Sequence, residues 1–199
     1  MTFYKRRERF SKLSIRVGMV FSKAGLSPNQ WTLLTIIPTF IALYFLVERQ
    51  FLLAALFFLV SAFFDLVDGS VARVMGKVSK LGAYLDTVMD RYVEAIIIFG
   101  LLFANLPGYY FPIYAWLFLY LLGSFMTTYA KSAAKEKELL ESELKGGLLE
   151  RAERLIILFI GILLAHFNTL YLTYIIVILA ILTNLTALQR MRIAAKMSG

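Results

Sequence analysis

From Gln30 to Leu188 the chain is a succession of apolar runs, divided by short polar breaks. Most are roughly twenty residues long, which matches the ~30 Å hydrocarbon core of a bilayer. In lipid the backbone must satisfy its own N–H and C=O groups, and a single apolar run does so as a helix. The pattern predicts an all-α integral membrane protein with six transmembrane helices. They fall at about Gln30–Val47, from near Phe51 through the aspartates at its far end, and at Leu81–Phe103, Phe111–Ala130, Leu149–Leu164 and Leu170–Leu188. With 60% hydrophobic residues and a mean hydropathy of +0.73, a soluble fold is a poor alternative. One membrane domain over 1–199 is expected: a basic segment 1–24, a core 30–188 and a basic tail 189–199.

The breaks carry recognisable signals. Gly25-Leu-Ser27-Pro28-Asn29 stops one helix and starts another, with Ser27 as cap and Pro28 in the first turn. Pro38 predicts a kink in the first span. In the first segment, Phe10, Leu13, Val17, Val20 and Phe21 recur at three and four, interleaved with Lys5, Arg6, Arg7, Arg9, Lys12, Arg16 and Lys23. That predicts an N-terminal amphipathic juxtamembrane helix at the headgroup level, with Ile15 and Met19 off its stripe. Met1 to Arg16 is too polar for the apolar region of a cleavable signal.

Basic residues set the orientation. Seven lie in the first segment, Arg73, Lys77 and Lys80 between the second and third spans, and Lys131, Lys135, Lys137, Lys145, Arg151 and Arg154 between the fourth and fifth. Arg190, Arg192 and Lys196 close the chain, and the opposite turns hold Arg49 alone. Both termini are therefore predicted to be cytoplasmic. The net charge of +8 fits this asymmetry and anionic lipid headgroups, and no nucleic-acid partner is expected. Cysteine is absent and His166 is the one histidine, which argues against a thiolate site, a zinc site or a histidine-based triad.

All four aspartates of the chain sit in one place. Asp65, Asp68, Gly69, Ala72 and Arg73 fall at i, i+3, i+4, i+7 and i+8, one stripe of a helix. Gly82, Asp86 and Asp90 step by four along another. The eight residues from Val74 to Leu81, with Gly76 and Ser79, suffice for a turn, so the stripes can face each other. An ionised carboxylate in a membrane segment is costly unless a cation or donor answers it. A cluster of them suits a hard divalent cation, Mg²⁺ or Mn²⁺. Arg73 adds a fixed positive charge suited to phosphate, and Gly69, Ala72 and Gly82 leave space. A proton path or transporter would also use buried acids, but has no need of those small residues and Arg73 at helical spacing.

Asp-x-x-Asp-Gly-x-x-Ala-Arg, eight residues, Gly-x-x-x-Asp-x-x-x-Asp resembles the signature of the CDP-alcohol phosphotransferase family at every motif position. The resemblance implies a transferase of phospholipid biosynthesis that releases CMP from a CDP-linked donor. It implies that Asp65, Asp68 and Asp86 bind one or two Mg²⁺ or Mn²⁺ ions, and that Asp90 is the general base, in some members also touching a second metal. It implies a nucleotide pocket of Asn29, Thr32, Asp65, Asp68, Gly69, Ala72, Arg73, Ser79 and Gly82. Glu94, one turn past Asp90, would support the metal site, with Arg91 pairing with Glu94 or another helix.

Gly146-Gly147-Leu-Leu-Glu150-Arg151-Ala-Glu153-Arg154 is similar to a stretch of phosphatidylinositol-phosphate and archaetidylinositol-phosphate synthases. By that resemblance the donor is CDP-diacylglycerol or CDP-archaeol, and the soluble cytoplasmic acceptor is inositol 1-phosphate. Arg151 and Arg154, with Lys131, Lys135 and Arg190, would bind the acceptor phosphate; the alternative role for these charges is topology. Lys131-Ser-Ala-Ala-Lys135 departs from the Lys-Ala-Arg-Ala-Glu of bacterial members, so glycerol 3-phosphate and serine stay open as acceptors. A homodimer in the inner membrane of a prokaryote is also implied.

Overall fold

Helix formers and apolar residues run almost unbroken through this chain, and the fold is correspondingly all-helical. The structure, a computed structural model, describes residues 14–138 and 147–197. Helix α1 covers 14–22. It is followed by α2 (Pro28–Leu34), α3 (Ile36–Val47), α4 (Phe51–Val74), α5 (Lys80–Phe103), α6 (Ile113–Glu136), α7 (Arg151–Ala165) and α8 (Thr169–Met197). The basic residues Lys5, Arg6, Arg7, Arg9 and Lys12, together with Phe10 and Leu13, lie outside the described residues, as do Lys145 and Gly146.

Four helical stretches among the described residues are long and apolar enough to cross a bilayer: Pro28–Val47, Phe51–Val74, Ile113–Glu136 and Thr169–Lys196. Six were expected. At 24 residues α5 has the length, but carries Lys80, Asp86, Asp90, Arg91 and Glu94. At 15 residues α7 reaches only about 22 Å at 1.5 Å per residue. The apolar helices expose large side chains, among them Ile37, Phe40, Tyr44, Leu52, Leu56 and Leu59. Apolar surface on this scale belongs against lipid, and the protein is a membrane protein.

The chain divides into two units, Met1–Ala42 with Leu56–Ile96, and Leu43–Ala55 with Ile97–Gly199. The first is organised around buried Trp31, Val67 and Val71, against which Val17, Phe21, Leu26, Leu34 and Phe64 pack. Phe21 and Phe64 meet the Trp31 ring edge-to-face at 5.4 and 5.6 Å. Val17 and Phe21 thus share a packed face of α1, whereas Val20, expected on the same stripe, is 64% exposed alongside Ile15 and Met19. Ser27 begins α2 as expected: the Gln30 N–H donates to its hydroxyl and its own N–H donates to Gln30 Oε1.

The break in the first span falls at Thr35 rather than Pro38. Proline has no N–H to offer the Leu34 carbonyl and its ring crowds that oxygen, so the ladder opens one turn earlier. The Thr35 hydroxyl donates to Thr32 O at 2.6 Å, and buried Ser61 donates to Thr35 O at 3.1 Å and pairs with Thr39 Oγ1 at 2.8 Å. The break is therefore stitched to α4 by hydroxyls.

In the second unit α8 packs along α6 and α7. Leu117, Tyr120, Leu158, Ile162, Leu172, Ile176 and Leu179 are fully buried. Close approach depends on Gly123 of α6: a Cβ there would lie 2.8 Å from the Asn184 backbone nitrogen. Asn184 Nδ2 also donates to Leu119 O at 2.8 Å. Small residues let membrane helices pack closely, and polar side chains tie them. Gly123→Leu should accordingly cost about 2–3 kcal/mol or more, read as a lower midpoint of thermal unfolding in detergent.

The last helix runs through Met197 instead of ending near Leu188. Its end, Gln189 to Met197, is rich in strong helix formers, and Ala194 and Ile193 pack on Ala134 of α6. Arg190, Arg192 and Lys196 belong to that helix, not to a separate tail.

Candidate active site

The α4–α5 turn fixes how the two acidic stripes meet. α4 ends in a Schellman motif: Gly76 adopts φ +63°, its N–H donates to Arg73 O, and the Lys77 N–H donates to Ala72 O at 2.9 Å. Ser79 then caps α5, accepting from Gly82 N–H at 3.0 Å. The turn, residues 75–79, falls inside the Val74–Leu81 stretch that the sequence predicts for it, with Val74, Lys80 and Leu81 already helical.

A cavity of about 590 Å³ opens between α2, α4 and the start of α5. Asn29, Thr32, Asp65, Asp68, Gly69, Ala72, Arg73, Ser79, Gly82 and Asp86 all line it. So do Lys77 and Val78, which the motif does not contain. Lys77 is a second cation four residues after Arg73, a charge that in sequence reads equally as cytoplasmic-side bias. A Cβ on Gly82 would stand 3.3 Å from Asn29 Oδ1, so glycine lets α2 close against α5.

Asp65, Asp68 and Asp86 each place a carboxylate oxygen within 4.8 Å of the other two. At that separation each pair of charges repels by about 3 kcal/mol or more at an effective dielectric constant near 20. Asp68 is 6% exposed, and its Oδ2 is buried with no hydrogen-bond donor among the described residues. An all-oxygen set with an unanswered buried oxygen fits a hard divalent cation.

Asp90 lies one turn beyond Asp86 on α5 and is not part of that three-carboxylate group. It is 8% exposed, and Arg91 Nη1 stands 3.3 Å from its Oδ2. Arg91 Nη1 also donates to Thr87 O at 3.1 Å. Glu94 follows one turn later and is 1% exposed.

Residues 26–188 match the CDP-alcohol phosphatidyltransferase family. The chain belongs to this family. It is a transferase, which sets aside the transporter reading of the acidic cluster. An archaetidylinositol phosphate synthase of Pyrococcus horikoshii is 37% identical over 182 residues, 91% of this chain and 90% of that protein. A phosphatidylinositol phosphate synthase of Corynebacterium glutamicum is 30% identical over 149 residues, covering 73% of this chain and 67% of that one. Among solved structures, phosphatidylinositol phosphate synthase of Mycobacterium tuberculosis with CDP-DAG bound matches at a TM-score of 0.81 and 25% identity, over 92% of this chain and 94% of that one. The same enzyme in complex with manganese and citrate matches at 0.82 and 26%, over 92% and 88%.

A second polar group occupies the other unit. Arg154 is 1% exposed and Arg190 9%. Arg154 Nη2 donates to Ser124 Oγ at 3.0 Å, and Arg190 Nη1 to Thr127 O at 2.8 Å. The two arginines and Glu150 lie within electrostatic reach of one another. Lys131 is half-buried and Lys135 exposed. Glu150 and Glu153 turn out to form a capping box for α7, the Glu150 N–H donating to Glu153 Oε2 at 2.9 Å. Their three-residue spacing carried that signal.

Proposed function

We propose that this membrane transferase moves a phosphatidyl-type group from CDP-diacylglycerol or CDP-archaeol to inositol 1-phosphate and releases CMP. The observation that carries the reading is the Asp65, Asp68 and Asp86 triad in one cavity with Arg73. The 37% identity to an archaetidylinositol phosphate synthase over nearly the whole chain supports the acceptor.

Asp65, Asp68 and Asp86 would hold Mg²⁺ or Mn²⁺, one or two ions, and the metal would supply charge neutralisation of the diphosphate and of the departing CMP. Arg73 offers forked donors to a phosphate oxygen, and Asn29, Thr32, Gly69, Ala72, Ser79 and Gly82 shape the pocket around the nucleotide. Asp90 takes the proton of the attacking hydroxyl. The acceptor oxygen bonds to the lipid-linked phosphorus as the bond to CMP breaks, with no covalent enzyme intermediate. Arg154 and Arg190 place two buried cations together, and such a pair favours an anion such as the acceptor's phosphate. Arg151, Lys131 and Lys135 belong to the same acceptor role.

In the bilayer α5 and α7 complete six spans, α5 turning its acidic stripe away from lipid. Both termini and the site face the cytoplasm of a prokaryotic cell across its inner membrane, and the enzyme works as a homodimer.

Purified protein supplied with CDP-lipid, Mg²⁺ and inositol 1-phosphate should release CMP. CMP release only with glycerol 3-phosphate or serine would reject the acceptor and keep the chemistry. Arg154→Ala should raise the acceptor KM by about tenfold or more through loss of a charged hydrogen-bond donor, with the donor KM unchanged. If neither Arg154→Ala nor Arg151→Ala moves the acceptor KM, these arginines serve topology.

A further inference from the structure

Arg73 is exposed at the cavity rim, and a long exposed side chain ordinarily samples many rotamers. Here it does not stand alone. Its Nη2 donates to Ser14 Oγ of α1 at 2.7 Å, and more weakly to Ser70 Oγ at 3.5 Å. We propose that Ser14 is a positioning residue for the nucleotide donor: it holds the Arg73 guanidinium over Gly69, with its remaining donors available to the diphosphate. This rests on the reading that the cavity takes a CDP-linked donor.

The hydrogen-bond order leaves Ser14 little choice. Ser70 donates its own proton to Leu66 O at 2.7 Å. The 2.8 Å contact between the two serine oxygens then has Ser14 as donor. A hydroxyl has one proton and two lone pairs, so Ser14 meets Arg73 as an acceptor. The chain runs Arg73 to Ser14 to Ser70 to the α4 backbone.

Docking of α1 puts Ser14 in that place. Ser14, Val17, Gly18 and Phe21 fall at i, i+3, i+4 and i+7, one helical face. Val17 and Phe21 enter the Trp31 cluster. Gly18 lies directly on α4: a Cβ there would be 2.5 Å from Ser70 O and 2.6 Å from Val74 Cγ2. The Arg73 guanidinium lies against Gly69: a Cβ there would stand 3.7 Å from Arg73 Nη1, at ordinary contact distance. The first helix is thereby part of the donor site and not only a membrane anchor.

The test is a double-mutant cycle on the full-length protein in nanodiscs, reading KM for the CDP-lipid, KM for the acceptor and equilibrium binding of CDP. Ser14→Ala should raise the donor KM and the CDP Kd by about five- to tenfold, the size of one typical net hydrogen bond, and leave the acceptor KM alone. Ser14→Thr, which keeps the hydroxyl, should restore both. Added to Arg73→Ala, Ser14→Ala should have no further effect. Unchanged donor KM in Ser14→Ala, or an equal loss with and without Arg73, would overturn the role of Ser14 while leaving the donor cavity intact. Normal donor KM in Arg73→Ala would instead overturn the assignment of the cavity to the donor.

Discussion

Asp68→Asn will stop CMP release, by about a thousandfold or more, without unfolding the protein. Asparagine keeps the shape of the side chain but removes its charge, and it places an NH₂ where Asp68 Oδ2 now stands buried without a donor. Three carboxylate oxygens within 4.8 Å become two, and the affinity for Mn²⁺ should fall about a hundredfold or more. The stability of the metal-free protein provides an independent reading. Removing one of three repelling charges should hold or raise its melting temperature relative to the parent chain. Adding Mn²⁺ should stabilise the parent in proportion to the logarithm of its concentration over Kd, and the variant far less. A variant that binds Mn²⁺ like the parent and turns over CDP-lipid normally would remove the triad from the chemistry.

The part of this site that was legible in the sequence is the part set by local geometry. Helical periodicity alone places Asp65, Asp68 and Asp86 on facing stripes, and Gly76 marks the left-handed residue that closes the turn between them. Ser27 and Pro28 announce the start of α2 in the same way. What escaped was decided by packing. Whether the first span bends at Pro38 or one turn before depends on the Ser61 and Thr39 hydroxyls that donate to the Thr35 carbonyl at the break. The end of α8 depends on Ala194 and Ile193 finding Ala134, a contact sixty residues distant in the chain. Ser14 carries no signal of its own: its partner is set by Gly18 lying on Ser70, and helix α1 reads equally well as a surface helix. The Glu-Arg-x-Glu-Arg stretch resembles an acceptor motif, yet its glutamates cap a helix, so two of its four charges have a structural use. The arginines are different, because burial of Arg154 to 1% exposure is more than topology requires.

Asp90→Asn should separate two roles that the family resemblance leaves joined, base and metal ligand. The residue stands one turn past Asp86 on α5, outside the three-carboxylate group, with the Arg91 guanidinium 3.3 Å from its Oδ2. Its place outside the three-carboxylate group favours the role of base over that of shared ligand. A carboxamide cannot take the acceptor's proton, so kcat should fall by about 10²–10⁴. The donor KM, CDP binding and Mn²⁺ affinity should stay within about twofold, because nothing that holds nucleotide or ion has been removed. A Mn²⁺ affinity that collapses together with kcat would make Asp90 a ligand and leave the base to be found elsewhere. Glu94 would then be the next carboxylate to test, one turn further along α5 and buried to 1% exposure. Its distance along the helix from Asp86, two turns, is about 12 Å at 1.5 Å per residue, too long for a shared ion, so Glu94→Gln should leave Mn²⁺ affinity alone whichever role Asp90 has.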